Sequence, residues 1–113
     1  MPFIDVKTNV PVSVDKADII KTALGQAITA IPGKSESWLM VGIEPEYKLW
    51  FRGTRDAAAM VEVSVYGGAS SSALSALTRN ITDIITHQLG ISADRIYVKY
   101  SETENWGWNG SNF

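Results

Sequence analysis

At 113 residues the chain has room for one domain with one core, and a net charge of −2 with scattered lysines and arginines gives no general pull toward nucleic acid or an anionic membrane. The absence of cysteine excludes disulfides, thiol catalysis, thiolate metal sites and thiol redox switching. No apolar stretch approaches the about 20 residues that span a bilayer, and Met1-Pro2-Phe3-Ile4-Asp5 lacks the basic-then-apolar pattern of a secretory signal, so the cytoplasm is the expected address.

Residues 3–8 alternate, with Ile4, Val6 and Thr8 on one side and Phe3, Asp5 and Lys7 on the other, which predicts a half-buried strand almost from the first residue. Asn9 to Pro11 interrupts it. From about Ser13 to Ile31 the period becomes helical: Ala17, Ile20, Leu24, Ala27, Ile28 and Ile31 form one stripe, Ser13 is the expected N-cap, and Pro32-Gly33 stops the helix. A second strand is expected over about Trp38 to Glu44, and a short one over Lys48 to Phe51, before the Arg52-Gly53-Thr54 bend. Residues 57–66 alternate again, with Val61, Val63 and Val65 opposite Met60, Glu62 and Ser64. Gly67-Gly68 ends this strand, and Ser70 to Ser72 cap a second helix whose stripe runs from Leu74 to Leu89 and closes at Gly90. Ile96, Val98 and Tyr100 then alternate with Tyr97 and Lys99, ahead of a tail rich in Trp, Asn and Gly.

The order is β-α-β followed by β-α-β, in halves of roughly 2–50 and 57–101 without obvious sequence identity. Crossover helices join parallel strands, and right-handed crossovers place both helices on one sheet face. The expected fold is a two-layer α/β sandwich: a four-stranded mixed sheet, two helices on one face, and short extra strands. Phe3, Asp5, Lys7, Met60, Glu62, Ser64, Tyr97 and Lys99 share the other face, which is mixed in polarity. It suits either a solvated open sheet or an oligomer whose sheets surround a partly wet channel.

Some signals are bland. His87, the only histidine, falls late in the second helix and is read as a helix-end or surface residue. One histidine without cysteine leaves no ordinary zinc ligand set, so no metal is expected. Gly67-Gly68-Ala69-Ser70 lacks the lysine and spacing of a phosphate loop and is read as a turn. Asn109-Gly110-Ser111 fits a glycosylation pattern without a secretory context.

Several segments together resemble the macrophage migration inhibitory factor family of the tautomerase superfamily. They are Met1-Pro2-Phe3-Ile4 with Thr8-Asn9-Val10, Gly33-Lys34 after the first helix, Phe51-Arg52-Gly53-Thr54, Ile91-Ser92-Ala93-Asp94-Arg95-Ile96-Tyr97-Val98, and Gly107-Trp108-Asn109-Gly110-Ser111. Ser35 replaces the proline of the family's Gly-Lys-Pro signature. The resemblance spans residues 1–113 as one domain. It implies a homotrimer with pockets between subunits, and keto–enol tautomerism of enolisable 2-keto acids such as phenylpyruvate and 4-hydroxyphenylpyruvate, without cofactor or metal. Animal members are also cytokines, so a receptor-binding protein released without a signal peptide is the alternative.

The resemblance assigns the chemistry to Pro2. Removal of Met1 would leave a secondary amine, and burial together with nearby cations would hold it neutral near physiological pH. Lys34 is implied beside it, lowering the amine's pKa and binding the substrate carboxylate or developing enolate. Tyr97 aligns with the active-site tyrosine given by the neighbouring subunit. Lys99, where many relatives have asparagine, either binds carboxylate or pairs with Glu62 or Asp5. Trp38, Tyr66, Trp106 and Phe113, with Phe3, complete the substrate-binding set. Trp38 matches a tyrosine, Trp106 a smaller aliphatic residue and Tyr66 an isoleucine. These swaps bear on substrate preference, since a bulkier wall leaves less room for large aryl groups. Trp50 and Trp108 are read as packing residues. Ala58 and Val61 occupy the places of a Cys-x-x-Cys pair in some relatives, so no thiol oxidoreductase activity carries over. Arg52 and Arg55 do not match the water-activating pattern of relatives that dehalogenate, hydrate or decarboxylate.

Overall fold

A computed structural model describes residues 1–113. The first strand, β1 (Pro2–Thr8), is followed by helix α1 (Val14–Ala27) and strand β2 (Met40–Glu44); strand β3 (Ala59–Tyr66), helix α2 (Ser71–Leu89) and strand β4 (Ile96–Thr103) repeat the pattern. The sheet order is β2-β1-β3-β4. The pairs β1–β2 and β3–β4 are parallel, and the central pair β1–β3 is antiparallel. Two β-α-β units therefore meet back to back along β1 and β3, as the sequence periods predict.

Alternation decides which face is buried. Ile4, Val6, Val61, Val63 and Val65 are almost fully buried against both helices, which contribute Ile20, Leu24, Leu77, Ile81 and Ile85 to the same core. The opposite face carries Phe3, Asp5, Lys7, Met60, Glu62 and Ser64, all half-buried, and no helix covers it. There Lys7 donates to the Asp5 carboxylate at 2.6 Å, which raises the lysine's pKa above its ordinary value. Of the partners expected for Lys99, Asp5 is thus taken by Lys7; Glu62 stands opposite Lys99 in the ladder without an ion pair.

The caps follow the sequence. Ser13 accepts from the Lys16 N–H, Ser70 from the Ala73 N–H, and Gly90 ends α2 in the left-handed region. Helix α1 itself stops at Ala27, and residues 28–30 tighten into one 3₁₀ turn. Strand β2 begins two residues later than expected because Glu36–Trp38 form a second 3₁₀ turn.

The strand expected over Lys48 to Phe51 is absent. Phe51 and Thr54 form only an isolated bridge around Arg52 and Gly53, both at positive φ. The loop is held from outside. Asn9 donates to the carbonyls of Leu49, Arg55 and Asp56 and accepts from the Ala58 N–H, and Arg95 donates to Phe51, Asp56 and Ala57. Within the segment, the Leu49 and Phe51 carbonyls are thus engaged by side chains rather than by a neighbouring strand.

The tail, given no elements in the sequence reading, forms a hairpin of strands β5 (Gly107–Trp108) and β6 (Ser111–Asn112). Asn109 and Gly110 are both at positive φ, as a two-residue type I′ turn requires. No helix is long and apolar enough to cross a membrane.

Asn9→Ala removes four side-chain hydrogen bonds from the 45–58 loop. The expected loss is about 2–3 kcal/mol of folding stability, read as a lower midpoint with unchanged slope in urea denaturation.

Candidate active site

The site grows from the end of the central ladder. Antiparallel register sets Pro2 opposite Val65, so the first residues of the chain lie beside the last residues of β3. A proline tolerates the first position of a strand because no ladder donor is needed there. Pro2 is buried, and the Met1 carbonyl accepts the Tyr66 N–H at 3.0 Å.

Lys34 arrives from the other side. Pro32-Gly33, with Gly33 at φ +83 and the Lys34 N–H bonded to the Ile31 carbonyl, makes the tight turn after the first crossover helix. The half-buried Lys34 Nζ donates to the Tyr66 carbonyl at 2.9 Å. One peptide segment thus holds both parties: Tyr66 gives its N–H to the N-terminal strand and its C=O to the lysine.

The charge consequence is direct. The terminal ammonium, on Met1 in this chain, has its pKa lowered from the ordinary 8.0, by burial first and then by the Lys34 charge and hydrogen bond. The sign for stability follows: the unfolded chain binds this proton at higher pH than the folded one. The stability linked to the neutral amine is therefore complete above the ordinary value and falls away as pH drops through the lowered one.

An aromatic run flanks this corner. The Tyr66 ring meets the Phe113 ring at 5.4 Å, Phe113 stacks on Trp108 at 6.4 Å, and Trp108 meets Trp38 edge-on at 5.2 Å. Trp38, Trp108 and Phe113 are each about half exposed (50%, 51% and 53%). Trp108, read from sequence as packing, is the link between the other two; the Asn-Gly turn beside it was the signal that would have placed it on a folded hairpin. Trp106 is half-buried at the hairpin base, where its carbonyl accepts the Phe113 N–H. Phe3 lies on the outer sheet face, its ring near Gly42 of β2.

Within one chain the structure brings together Pro2, Lys34, Tyr66, Trp38 and Phe113, but not Tyr97 or Lys99. In register, Tyr97 lies beside Met60 and Lys99 beside Glu62, whereas Pro2 lies beside Val65. Five residues of strand separate Met60 from Val65, or roughly 17 Å. Tyr97 is 60% exposed and packs on Phe51 at a separate apolar hollow with Leu49, Trp50 and Met60. Two clefts of the single chain, of about 490 and 460 Å³, lie between the helices near Ala23 and Ile84 and beside Pro11 and Arg55. Neither contains Pro2, Lys34 or the aromatic run, so cleft size alone does not mark the chemistry. No group of three or more acidic or histidine side chains is disposed to hold a metal ion.

The comparisons with known proteins agree with this architecture. The family model described as macrophage migration inhibitory factor matches residues 1–113. The chain belongs to the macrophage migration inhibitory factor family. That of Meriones unguiculatus is 30% identical over 115 residues, spanning 100% of this chain and 99% of that protein. Among solved structures, Leishmania major MIF2 is 34% identical with a TM-score of 0.94, covering 100% of this chain and 97% of that one. The Prochlorococcus marinus homologue is 28% identical with a TM-score of 0.83, covering 98% of each chain. The family covers tautomerase and cytokine-like roles, and the fold is of the tautomerase superfamily.

Lys34→Ala removes the cation and its hydrogen bond. The terminal amine is expected to titrate closer to its ordinary value, that is upward, in an NMR titration of the neighbouring resonances against pH.

Proposed function

We propose that the protein is a cofactor-independent keto–enol tautomerase of 2-keto acids such as phenylpyruvate and 4-hydroxyphenylpyruvate, with Pro2, freed by removal of Met1, as the acid–base group. Residues 1–113 act as one tautomerase domain. The observation that carries this reading is the meeting of the buried N-terminal strand and Lys34 at the backbone of Tyr66. The same burial and the same cation that lower the Met1 amine's pKa would act on a Pro2 amine.

The chemistry balances within the substrate. The neutral Pro2 nitrogen takes a proton from the carbon next to the ketone, and that bond's electron pair moves toward the carbonyl oxygen as it becomes an enolate. The Lys34 ammonium stabilises this developing charge. The proton then passes from Pro2 to the oxygen, and ketonisation runs the same steps backward. Acid–base help of this kind contributes on the order of 10²–10⁴-fold.

Tyr97 and Lys99 enter the site from a neighbouring subunit in this reading, because their own chain holds them far along the strand from Pro2. A homotrimer supports that arrangement. The uncovered sheet face is mixed in polarity, and edge strands β2 and β4 each have a side without a partner in the chain.

Ketonisation of phenylpyruvate, followed by ultraviolet absorbance or proton NMR, is expected well above the buffer rate, and Pro2→Gly is expected to reduce it roughly 100-fold or more. Mass spectrometry of the active protein should show Met1 removed. An inactive wild type, or a fully active Pro2→Gly protein, would refute the assignment and leave a cytokine-like binding role as the family's other option. Light scattering on a sizing column should give three times the chain mass.

A further inference from the structure

We infer that Arg95 and Phe51 are positioning residues that aim the Tyr97 ring into the active site of the neighbouring subunit; this rests on the tautomerase reading and its trimer. A side chain that acts across a subunit boundary has to be aimed from its own chain, because the site it completes belongs to the next one. Here the aim is built around the start of β4. Tyr97 packs on Phe51 with ring centroids 4.7 Å apart and planes tilted by 39°. Phe51 is held in turn by Arg95, two residues before Tyr97.

The hold on Phe51 is double. Arg95 Nη2 donates to the Phe51 carbonyl at 3.2 Å, and the same guanidinium lies over the Phe51 ring, 5.2 Å from its centroid. The guanidinium also donates to the carbonyls of Asp56 at 3.0 Å and Ala57 at 2.9 Å. It therefore ties both ends of the 51–57 loop to the residue just before β4. Inside the loop, Phe51 and Thr54 exchange backbone hydrogen bonds of 3.0 and 3.1 Å around Arg52 and Gly53, which fixes the Phe51 backbone. A lysine could not replace this clamp: an ammonium has no planar fork to span three carbonyls and no flat face to lay on a ring.

The clamp belongs to one chain but serves another. All three carbonyls and the ring are in the same chain as Arg95, so each subunit carries the clamp into the assembly. Tyr97 lies beside Met60 in the ladder, whereas Pro2 lies beside Val65 at the other end of β3. Loosening the clamp thus leaves a subunit's own Pro2 and Lys34 in place and damages the site of its neighbour.

The experiment follows ketonisation of phenylpyruvate by Phe51→Leu, Phe51→Tyr, Arg95→Lys and Tyr97→Phe proteins, with light scattering to check assembly. Phe51→Leu, Arg95→Lys and Tyr97→Phe are each expected to lower kcat/KM roughly tenfold or more, as a misplaced or missing group in a site does. The acid limb of the pH profile should stay where it is, and Phe51→Tyr, which keeps the ring, should keep the wild-type rate. The Phe51→Leu/Tyr97→Phe double variant should lose little more than either single one, since both act through the same side chain. Phe51→Leu and Pro2→Gly subunits are then refolded together in equal amounts. In a ring where each Pro2 meets the next subunit's Tyr97, about a quarter of the sites regain both intact groups, so the mixture should recover about a quarter of the wild-type rate. Arg95→Lys in place of Phe51→Leu should recover alike.

A mixture no more active than the mean of its parents, a shifted acid limb, a wild-type rate in Phe51→Leu, or loss of the trimer in both Phe51→Leu and Arg95→Lys would overturn this inference and leave the tautomerase reading intact. A wild type inert toward phenylpyruvate would instead overturn that reading, and the clamp's role with it.

Discussion

Antiparallel pairing of β1 with β3 brings the first residues of the chain against the last residues of the third strand, where β1 is flanked on its other side by β2. The rest of the corner depends on this one ladder. It buries Pro2, gives Met1 a backbone partner in Tyr66, and puts the Tyr66 carbonyl where Lys34 can reach it after the Pro32-Gly33 turn. A register slip of one residue would turn Ile4 and Val6 out of the core, so the hydrophobic pattern that stabilises the fold also fixes the place of the amine.

The electrostatics of the corner depend on packing rather than on net charge. The chain is mildly acidic overall, yet the charge that acts on the terminal amine is that of a cation, Lys34. Burial and Lys34 disfavour the ammonium together, and the lysine is held in place by its bond to the Tyr66 carbonyl. Elsewhere the charges are paired for other ends: Lys7 with Asp5 on the open face, and Arg52 with Asp94 near the far loop.

The single chain also carries two aromatic surfaces at opposite ends of β3. One is the run from Tyr66 to Trp38 beside Lys34; the other is the hollow around Phe51 and Tyr97. Contiguous apolar surface of this kind marks a place of contact with another molecule. A head-to-tail ring of subunits would bring the second surface of one copy to the first surface of the next, and that is the assembly the proposed reaction uses.

Much of this was written in local sequence. The period-two runs of β1 and β3, the helical stripes of α1 and α2, and the Ser13, Ser70 and Gly90 caps are short-range signals, and the structure follows them. The 48–51 segment departs from its local pattern because its Leu49 and Phe51 carbonyls are claimed by Asn9 and Arg95, 40 and 44 positions away in sequence. The hairpin is legible in Asn109-Gly110, a pair that favours the two positive φ angles its turn requires. Composition and periodicity determined that the chain makes two β-α-β units with one buried sheet face. Only the tertiary structure decided that Lys34, Tyr66, Phe113 and Trp38 converge on the N-terminal strand and that Tyr97 does not. Periodicity sets which face a side chain takes, whereas convergence depends on strand order and register, which no local segment encodes.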